Sequence, residues 1–166
     1  MPSALFNERA DKIRHRVLSP LGFRVFLWRQ LPLAAFAGLS LRSLDEGGCT
    51  VILPGGWRTQ NPFRSTYFAA QAMAAEMSTG APALVLVQGC EAKVSLLVTE
   101  VRARYMKKIV GASQFTFREI GEMADTIERA AQTGEPATHV ARSIGRNETG
   151  EVVSEFEVTW SFKRRD

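Results

Sequence analysis

The chain has 166 residues, of which 45% are hydrophobic, and it carries a formal net charge of +4. This length and composition predict one domain with a single core. Two cysteines, Cys49 and Cys90, and two histidines, His15 and His139, lack the spacing of a zinc site or a disulfide framework. We therefore expect no bound metal and a cytoplasmic location.

No apolar run reaches the length of about 20 residues that an integral membrane segment needs, so none is predicted. The basic residues are spread along the chain without a recognised nucleic-acid-reading motif, so no nucleic-acid partner is expected. A modest positive charge fits an anionic small ligand or simple solubility.

The N-terminal part of the chain predicts helices followed by a hairpin. Residues 3–17 predict a helix with Ser3 as its N-cap, and Phe23–Leu33 predict a second, apolar helix. Gly38–Leu44 and Cys49–Pro54 then predict two strands, because the acidic and glycine residues between them suit a tight turn.

An alanine-rich helix is predicted within residues 61–80, and Glu76 is a lone carboxylate in its apolar middle. Ala69, Ala72, Met73 and Glu76 recur at helical spacing and can form one face close against a sheet. An ionised carboxylate out of water is usually paired, shifted in pKa, or placed where substrate or water reaches it. Glu76 is thus a candidate for chemistry, unless it reaches solvent or a neighbouring cation.

The second half of the chain predicts strands around one further helix. A hairpin, one long helix and several antiparallel strands make an α+β layout in which the sheet curls around the helix. The last strand is the clearest, because its apolar and polar residues alternate. The predicted strands are Val94–Val110, Ser113–Arg118, Thr138–Arg146 and Glu151–Lys163. The predicted helix has its apolar positions between Ile120 and Ala130, and Gly134-Glu135-Pro136 ends it.

This order of elements and the stretch 61–80 resemble the hot-dog-fold thioesterase superfamily. The family pattern here is an asparagine, a His-Gly-Gly turn, a helix of small residues, an Asp or Glu, and a glycine soon after. Asn61 precedes Glu76 by 15 residues and Gly80 follows by four, which is similar to the phenylacetate-pathway type. Tyr105, followed closely by basic residues, is similar to a strand that many members carry after the helix.

The resemblance implies a hot-dog fold, a curved antiparallel sheet wrapped around a long central helix, at residues 36–166. Residues 1–35 would then be an N-terminal helical extension. It also implies an acyl-CoA hydrolase with Glu76 as general base or nucleophile, and with Asn61 orienting the carbonyl or the water. Asn61 can equally be a turn residue, because Asn-Pro is common turn chemistry.

Coenzyme A would be part of the substrate and not a cofactor. The resemblance implies an acyl-CoA or acyl-carrier thioester as the partner molecule. It also implies a homodimer or a tetramer, because hot-dog domains pair their sheets with the acyl tunnel at the interface.

Tyr67-Phe68-Ala69 stands where the family pattern has His-Gly-Gly, which marks a divergent branch. In the resembled enzymes the helix start presents backbone N–H groups to the thioester carbonyl, and Tyr67 and Phe68 can obstruct that approach. The alternative is that both aromatic residues are core. Ser65 and Thr66 are expected to cap the helix. Gln71 is expected at solvent or an interface.

For the pantetheine and phosphates, the resemblance implies basic side chains near the sheet edge. Arg102, Arg104, Lys107 and Lys108 are the candidates, and the alternative is a charged outer strand face that protects an edge. Arg64 lies nearer to the proposed site in sequence and ranks first among the basic residues.

Three other functions stay open. A non-catalytic acyl-CoA or fatty-acyl binding module of the same fold is favoured by the missing His-Gly-Gly. A hot-dog dehydratase usually needs a histidine paired with a carboxylate, and neither His15 nor His139 lies where that histidine belongs. A membrane-peripheral protein would use Leu21–Leu41 as an interfacial anchor.

Overall fold

The computed structural model describes residues 5–165 of the chain. Three N-terminal helices are followed by a hairpin, one long helix, two strands, a shorter helix and two final strands. The elements are α1 (Glu8–Leu18), α2 (Pro20–Gln30), α3 (Pro32–Ala37), β1 (Ser40–Asp45), β2 (Gly48–Leu53), α4 (Phe68–Gly89), β3 (Val94–Tyr105), β4 (Ser113–Phe117), α5 (Ile120–Thr133), β5 (Ala137–Asn147) and β6 (Val152–Arg164).

All six strands form one antiparallel sheet in the order β1-β2-β4-β5-β6-β3. The alternation predicted for the last strand is confirmed, since Phe156, Val158, Trp160 and Phe162 of β6 are all buried. Within residues 5–165, β3 pairs only with β6, so its outer side is a free edge. The predicted α+β architecture, a curved sheet around a long helix, is confirmed.

Small side chains allow α4 to lie close to the sheet. Ala70, Ala74 and Ala75 are buried, and alanine keeps the helix surface thin. The Oγ atoms of Ser78 and Ser143 lie 2.7 Å apart, so a hydrogen bond ties the helix to β5. Three alanines and Ser78 therefore make up most of the buried surface in the first half of α4, together with Gln71 and Met77.

The prediction of which face of α4 packs on the sheet is wrong: the buried face is displaced by about one residue from the predicted one. Ala69, Ala72, Met73 and Glu76 are half-buried and follow the margin of the packed surface instead of its centre. Because this helix has small residues on nearly every side, its sequence pattern does not single out the sheet-facing side.

α4 also begins and ends later than predicted. It starts at Phe68 and runs past Gly80 to Gly89, with Pro82 buried inside it. Among the described residues, no helix is both long enough and apolar enough to cross a membrane.

The first N-terminal helix is shorter than predicted. Ser3, its predicted N-cap, lies outside the described residues, and α1 begins at Glu8. Asn7 is the N-cap, because its Oδ1 accepts the Ala10 N–H at 2.9 Å. The Nδ2 of Asn7 donates to the Gly89 carbonyl at 2.9 Å, which fastens α1 to the end of α4.

The second predicted helix is in fact two helices. α2 ends at Gln30, and α3 begins at Pro32. The residue before a proline is disfavoured in the helical region, and Leu31 accordingly leaves it, with φ −139° and ψ 62°. The chain therefore turns between α2 and α3.

Two glycines predict opposite effects on stability. A Cβ at Gly145 would lie 2.5 Å from Ser154 Oγ and 2.7 Å from Phe115 Cε1, whereas a Cβ at Gly121 in α5 would have no neighbour within 4 Å. We expect Gly145→Ala to lower the free energy of unfolding by about 1–3 kcal/mol. We expect Gly121→Ala to raise it by about 0.5–1 kcal/mol. Urea unfolding measures both, and equal effects would contradict the packing at Gly145.

Candidate functional site

Glu76 lines an apolar cavity of about 560 Å³ between α2 and the second half of α4. Phe23 and Phe26 of α2 form one wall, and Leu96 of β3 and Trp160 of β6 contribute to the others. The volume lies within the range of small-molecule sites, which are mostly apolar with a few polar groups. Glu76 is the one ionisable side chain among the described residues of this lining.

The Glu76 carboxylate is half-buried, and no hydrogen bond or ion pair reaches it from residues 5–165. Burial disfavours its charged form and raises the pKa of Glu76 above its ordinary value of 4.5. The neighbouring cation that the sequence left open is therefore not found in the described part of the chain. The carboxylate is oriented toward the cavity without a protein partner.

Gly80 makes room for this carboxylate. Residues i and i+4 of a helix lie on the same face, and a Cβ at residue 80 would lie 2.8 Å from Glu76 Oε1. It would also lie 3.2 Å from Cζ2 of Trp160, whose Nε1 donates to Thr79 Oγ1 at 2.9 Å. The four-residue spacing of Glu76 and Gly80 thus has a steric reason in this structure.

The residues predicted around the helix start line a second cavity, of about 470 Å³. The loop before α4, the first turns of α4 and the end of β3 form its walls. Arg64 and Arg104 line neither of the two cavities. The predicted site residues that share this second cavity are Asn61, Ser65, Thr66, Tyr67, Phe68, Lys107 and Lys108.

Asn61 holds the turn that leads into α4. Its Oδ1 accepts the Phe63 N–H at 2.9 Å and the Ser65 N–H at 3.2 Å. Asn61 is therefore a turn residue in this structure, and its implied role toward a thioester stays a prediction.

Ser65 and Thr66 do not cap α4, so that prediction is wrong. Ser65 Oγ lies 3.2 Å from Asn61 Oδ1, and the Thr66 N–H donates to the Ile109 carbonyl at 2.9 Å. The N-cap position belongs to Tyr67, and no side chain caps the helix. Ser65 instead bonds to the Asn61 side chain, so its hydroxyl does not bond to the N–H groups at the helix start.

The start of α4 has free backbone donors. The Tyr67 N–H donates to the Thr59 carbonyl at 2.7 Å. The N–H groups of Phe68 and Ala69 have no acceptor among residues 5–165. An uncapped helix N-terminus carries partial positive charge, so these two groups can bind a negatively charged oxygen.

Tyr67 and Phe68 are exposed, so the alternative that both are core residues is wrong. Their ring centroids lie 4.8 Å apart, and the Phe68 ring lies 6.2 Å from the ring of Tyr105. Both aromatic residues precede the alanine-rich part of α4 and lie at the end of the edge strand β3. They form a wall beside the free N–H groups.

The basic candidates lie on the surface. Lys107 forms an ion pair with Glu151, and Arg104 lies opposite Glu155 in the β3–β6 register. Arg64 is exposed in the turn, with a left-handed φ of 58°. Their contacts are those of a charged outer face, and a role in binding phosphates stays a prediction.

Gln71 is a polar residue of the second cavity that the sequence did not indicate. It was expected at solvent or an interface, but it is only 5% exposed, so that expectation is wrong. Its Nε2 donates to the Thr66 carbonyl at 3.5 Å, and its Oε1 has no partner in the described structure. Gln71 lies seven residues before the buried Ser78, so the two side chains are on the same side of the helix. This spacing was the signal in the sequence from which the burial of Gln71 could have been predicted.

The free N–H groups and the carboxylate lie apart within one chain. Phe68 precedes Glu76 by eight residues, which is about 12 Å along a helix axis. The two groups also line different cavities. One chain therefore does not present both groups to the same carbonyl.

Solved structures of the same fold come from several bacteria. A Pseudomonas aeruginosa protein described as a probable thioesterase is 22% identical, with a TM-score of 0.73, over 88% of this chain and 97% of its own. A Chlorobaculum tepidum protein of unknown function is 17% identical, with a TM-score of 0.74, over 89% and 98%. A Haemophilus influenzae thioesterase is 12% identical, with a TM-score of 0.65, over 88% and 91%.

At these identities the likeness establishes the fold, which is the hot-dog fold. The model of the family described as a domain of unknown function (DUF4442) matches residues 22–162, and the chain belongs to that family. No curated protein matches the sequence.

The burial of Glu76 predicts a pH-dependent stability. Because its pKa is higher in the folded than in the unfolded chain, ionising Glu76 lowers stability as the pH rises from 4.5 through the folded pKa. The free energy of unfolding of the wild type, relative to Glu76→Gln, should be highest below pH 4.5 and fall above it. Glu76→Leu is the control. The stability of the wild type relative to Glu76→Leu should change with pH in the same way as its stability relative to Glu76→Gln. Urea unfolding across pH measures it, and a constant difference would contradict the burial of the carboxylate.

Proposed function

We propose that the protein hydrolyses acyl thioesters, either acyl-CoA or an acyl-carrier thioester, with Glu76 as base or nucleophile. The observation that carries this proposal is an unpaired, desolvated carboxylate in an apolar cavity large enough for an acyl group. The thioesterases among proteins of the same fold add support, as does the match to the asparagine, acid and glycine spacing.

As a general base, Glu76 would take a proton from water while the water oxygen attacks the thioester carbonyl carbon. The C–S bond then breaks, and the proton passes to the departing thiolate. A raised pKa makes Glu76 a stronger base at neutral pH, which favours this route. As a nucleophile, its carboxylate oxygen would attack the carbonyl carbon, and the C–S bond would break to give an anhydride and a thiolate, which takes up a proton and leaves as thiol. Water would then hydrolyse the anhydride to the free acid and restore the Glu76 carboxylate.

The attack leaves negative charge on the carbonyl oxygen, and free backbone N–H groups are suitable donors for it. Phe68 and Ala69 carry such groups, but they lie about 10–12 Å along the helix from Glu76 of the same chain. We therefore propose a homodimer in which the helix start of one protomer faces Glu76 of its partner.

Two features support this dimer. The outer side of β3 is unpaired over 12 residues and carries the exposed Leu97 and Val101, which suits pairing with a second copy. Ala69, Ala72 and Met73 form a half-buried stripe of α4 near this edge. Antiparallel contact of two such stripes would bring each helix start beside the middle of the partner helix.

The second candidate is an acyl-ligand binding module without turnover. The exposed Tyr67 and Phe68, in place of His-Gly-Gly, favour it because they narrow the approach to the free N–H groups. Hydrolysis assays distinguish the two candidates.

Replacing the carboxylate should abolish most of the hydrolysis. We expect wild-type protein to release thiol from members of a panel of short, long and aromatic acyl-CoAs. Glu76→Gln should lower kcat by about 10²–10⁴-fold, because an amide neither accepts the proton nor attacks the carbonyl. Thiol release measures the rate, and circular dichroism checks the fold.

Glu122→Gln is the matched control, because Glu122 is exposed on α5 and lines neither cavity. It should keep the wild-type rate. If the wild type shows no turnover on any thioester while acyl-CoA raises its Tm, the hydrolase proposal is wrong and the binding module is favoured.

The backbone donor at the helix start can be removed without losing the helix. Phe68 is the first residue of α4, a position where proline is well tolerated, and Tyr67 before it has the extended conformation that proline requires. Phe68→Pro should lower kcat by about 10²–10³-fold through loss of the N–H. Phe68→Ala keeps the N–H and is the control, with a small effect on kcat.

Mixed dimers then test the shared site. If each site combines two protomers, refolding Glu76→Gln chains with an equal amount of Phe68→Pro chains should restore about a quarter of wild-type activity. Activity that stays at the level of the separate variants would contradict the shared site, while leaving the effect of Glu76→Gln in place.

A further inference from the structure

The outward face of α2 carries an apolar stripe that no other described residue covers. Leu21, Val25 and Trp28 are spaced by four and three residues, so they lie on one side of the helix. Leu21 is 75% exposed and Trp28 is 59% exposed. On the opposite side, Phe23 and Leu27 are buried against the rest of the protein. α2 is therefore apolar on both faces, although only one faces the core.

The exposed apolar surface continues beyond α2. α3 packs against α2 and presents Leu33, which is 68% exposed, and Phe36. The Phe36 ring meets the ring of Trp57 edge-on, with centroids 5.9 Å apart, and Trp57 is 73% exposed. We name these residues the apolar patch; its members are Leu21, Val25, Trp28, Leu33, Phe36 and Trp57.

The charged residues of the segment that carries most of the patch all have one sign. Residues 12–44 contain no aspartate or glutamate. A helix turns by about 100° per residue, so Arg24 lies about 60° from Leu21 on one side of the stripe and Arg29 about 80° from Leu21 on the other. Neither guanidinium has a hydrogen bond or ion pair within residues 5–165. The cations of this segment are Lys12, Arg14, Arg16, Arg24, Arg29 and Arg42.

We propose that α2 and α3 form an interfacial anchor that docks this face of the protein onto an anionic membrane surface. Apolar and aromatic side chains flanked by arginines bind the boundary between headgroups and acyl chains, where tryptophan is enriched. The unpaired arginines would contact lipid phosphates. α2 has 11 residues and α3 has 6, so both would lie on the bilayer and not span it.

A second copy of the chain fits this surface less well. A two-fold contact between two patches would bring Arg24 and Arg29 close to the same residues of the partner. Residues 12–44 have no carboxylate to neutralise them, whereas an anionic bilayer provides a dense negative charge. Charge complementarity therefore favours the membrane surface.

The anchor has a consequence for the Glu76 cavity. Phe23 and Phe26 on the inner side of α2 line that cavity, so the helix that would rest on the bilayer is also a cavity wall. Lipophilic acyl groups concentrate in membranes and would reach the cavity over a short path. The docking itself does not depend on hydrolysis, so it can be tested without any thioesterase assay.

Co-sedimentation with lipid vesicles tests the anchor directly. We expect the full chain to bind vesicles of phosphatidylcholine mixed with phosphatidylglycerol, to bind phosphatidylcholine alone more weakly, and to lose affinity as salt is raised. Arg24→Gln/Arg29→Gln should weaken binding to the mixed vesicles by about 30-fold. Leu21→Ala/Trp28→Ala should weaken it by about tenfold or more.

Two control variants separate the patch from general charge and hydrophobicity. Arg118→Gln/Arg129→Gln removes the same charge from exposed positions outside residues 12–44, and Val140→Ala trims a half-exposed apolar residue on β5. Both should bind like the wild type. Absence of vesicle binding, or equal losses in both arginine pairs, would overturn the proposal. Self-association that only the patch variants abolish, without vesicle binding, would assign the patch to a second copy instead.

Discussion

The close approach of α4 to the sheet is the constraint on which the rest of the structure depends. A long helix can lie this near to strands only if its buried side is nearly flat, and Ala70, Ala74 and Ala75 provide that surface. The hydrogen bond between α4 and β5 accordingly joins two short side chains, Ser78 and Ser143. Glu76 lies at the margin of this packed surface, where it is half-buried.

This marginal position explains why Glu76 has a raised pKa although no hydrogen bond or ion pair from residues 5–165 reaches its carboxylate. Glu76 is partly withdrawn from water by α2 and Trp160, yet Gly80 keeps its oxygen atoms clear of the next helical turn. The pKa of Glu76 rises because of this burial alone, since no cation of the described chain lies against it. The Glu76 carboxylate has no partner among residues 5–165, so its oxygen atoms remain available to a ligand.

Much of the fold could be predicted from local pattern, but much of the site could not. The hairpin and the antiparallel strands followed from alternation and turn residues, and the helical position of Glu76 followed from spacing. The sheet-facing side of α4 was missed, because a helix of small residues has little amphipathic contrast. The burial of Gln71 and the exposure of Phe68 depend on where α4 meets β3, which is a tertiary contact that no local pattern records.

α2 illustrates how one short segment can serve two environments. Its inner residues Phe23 and Phe26 close the Glu76 cavity, so they are held by the same apolar packing that stabilises the domain. Its outer residues Leu21 and Trp28 are mostly exposed, and exposed apolar side chains of this size are typical of interaction surfaces. Because both sets lie on one rigid helix, any surface that engages the outer face acts directly on the wall of the cavity. The position of α2 therefore connects the proposed membrane contact on its outer face to the Glu76 cavity on its inner face.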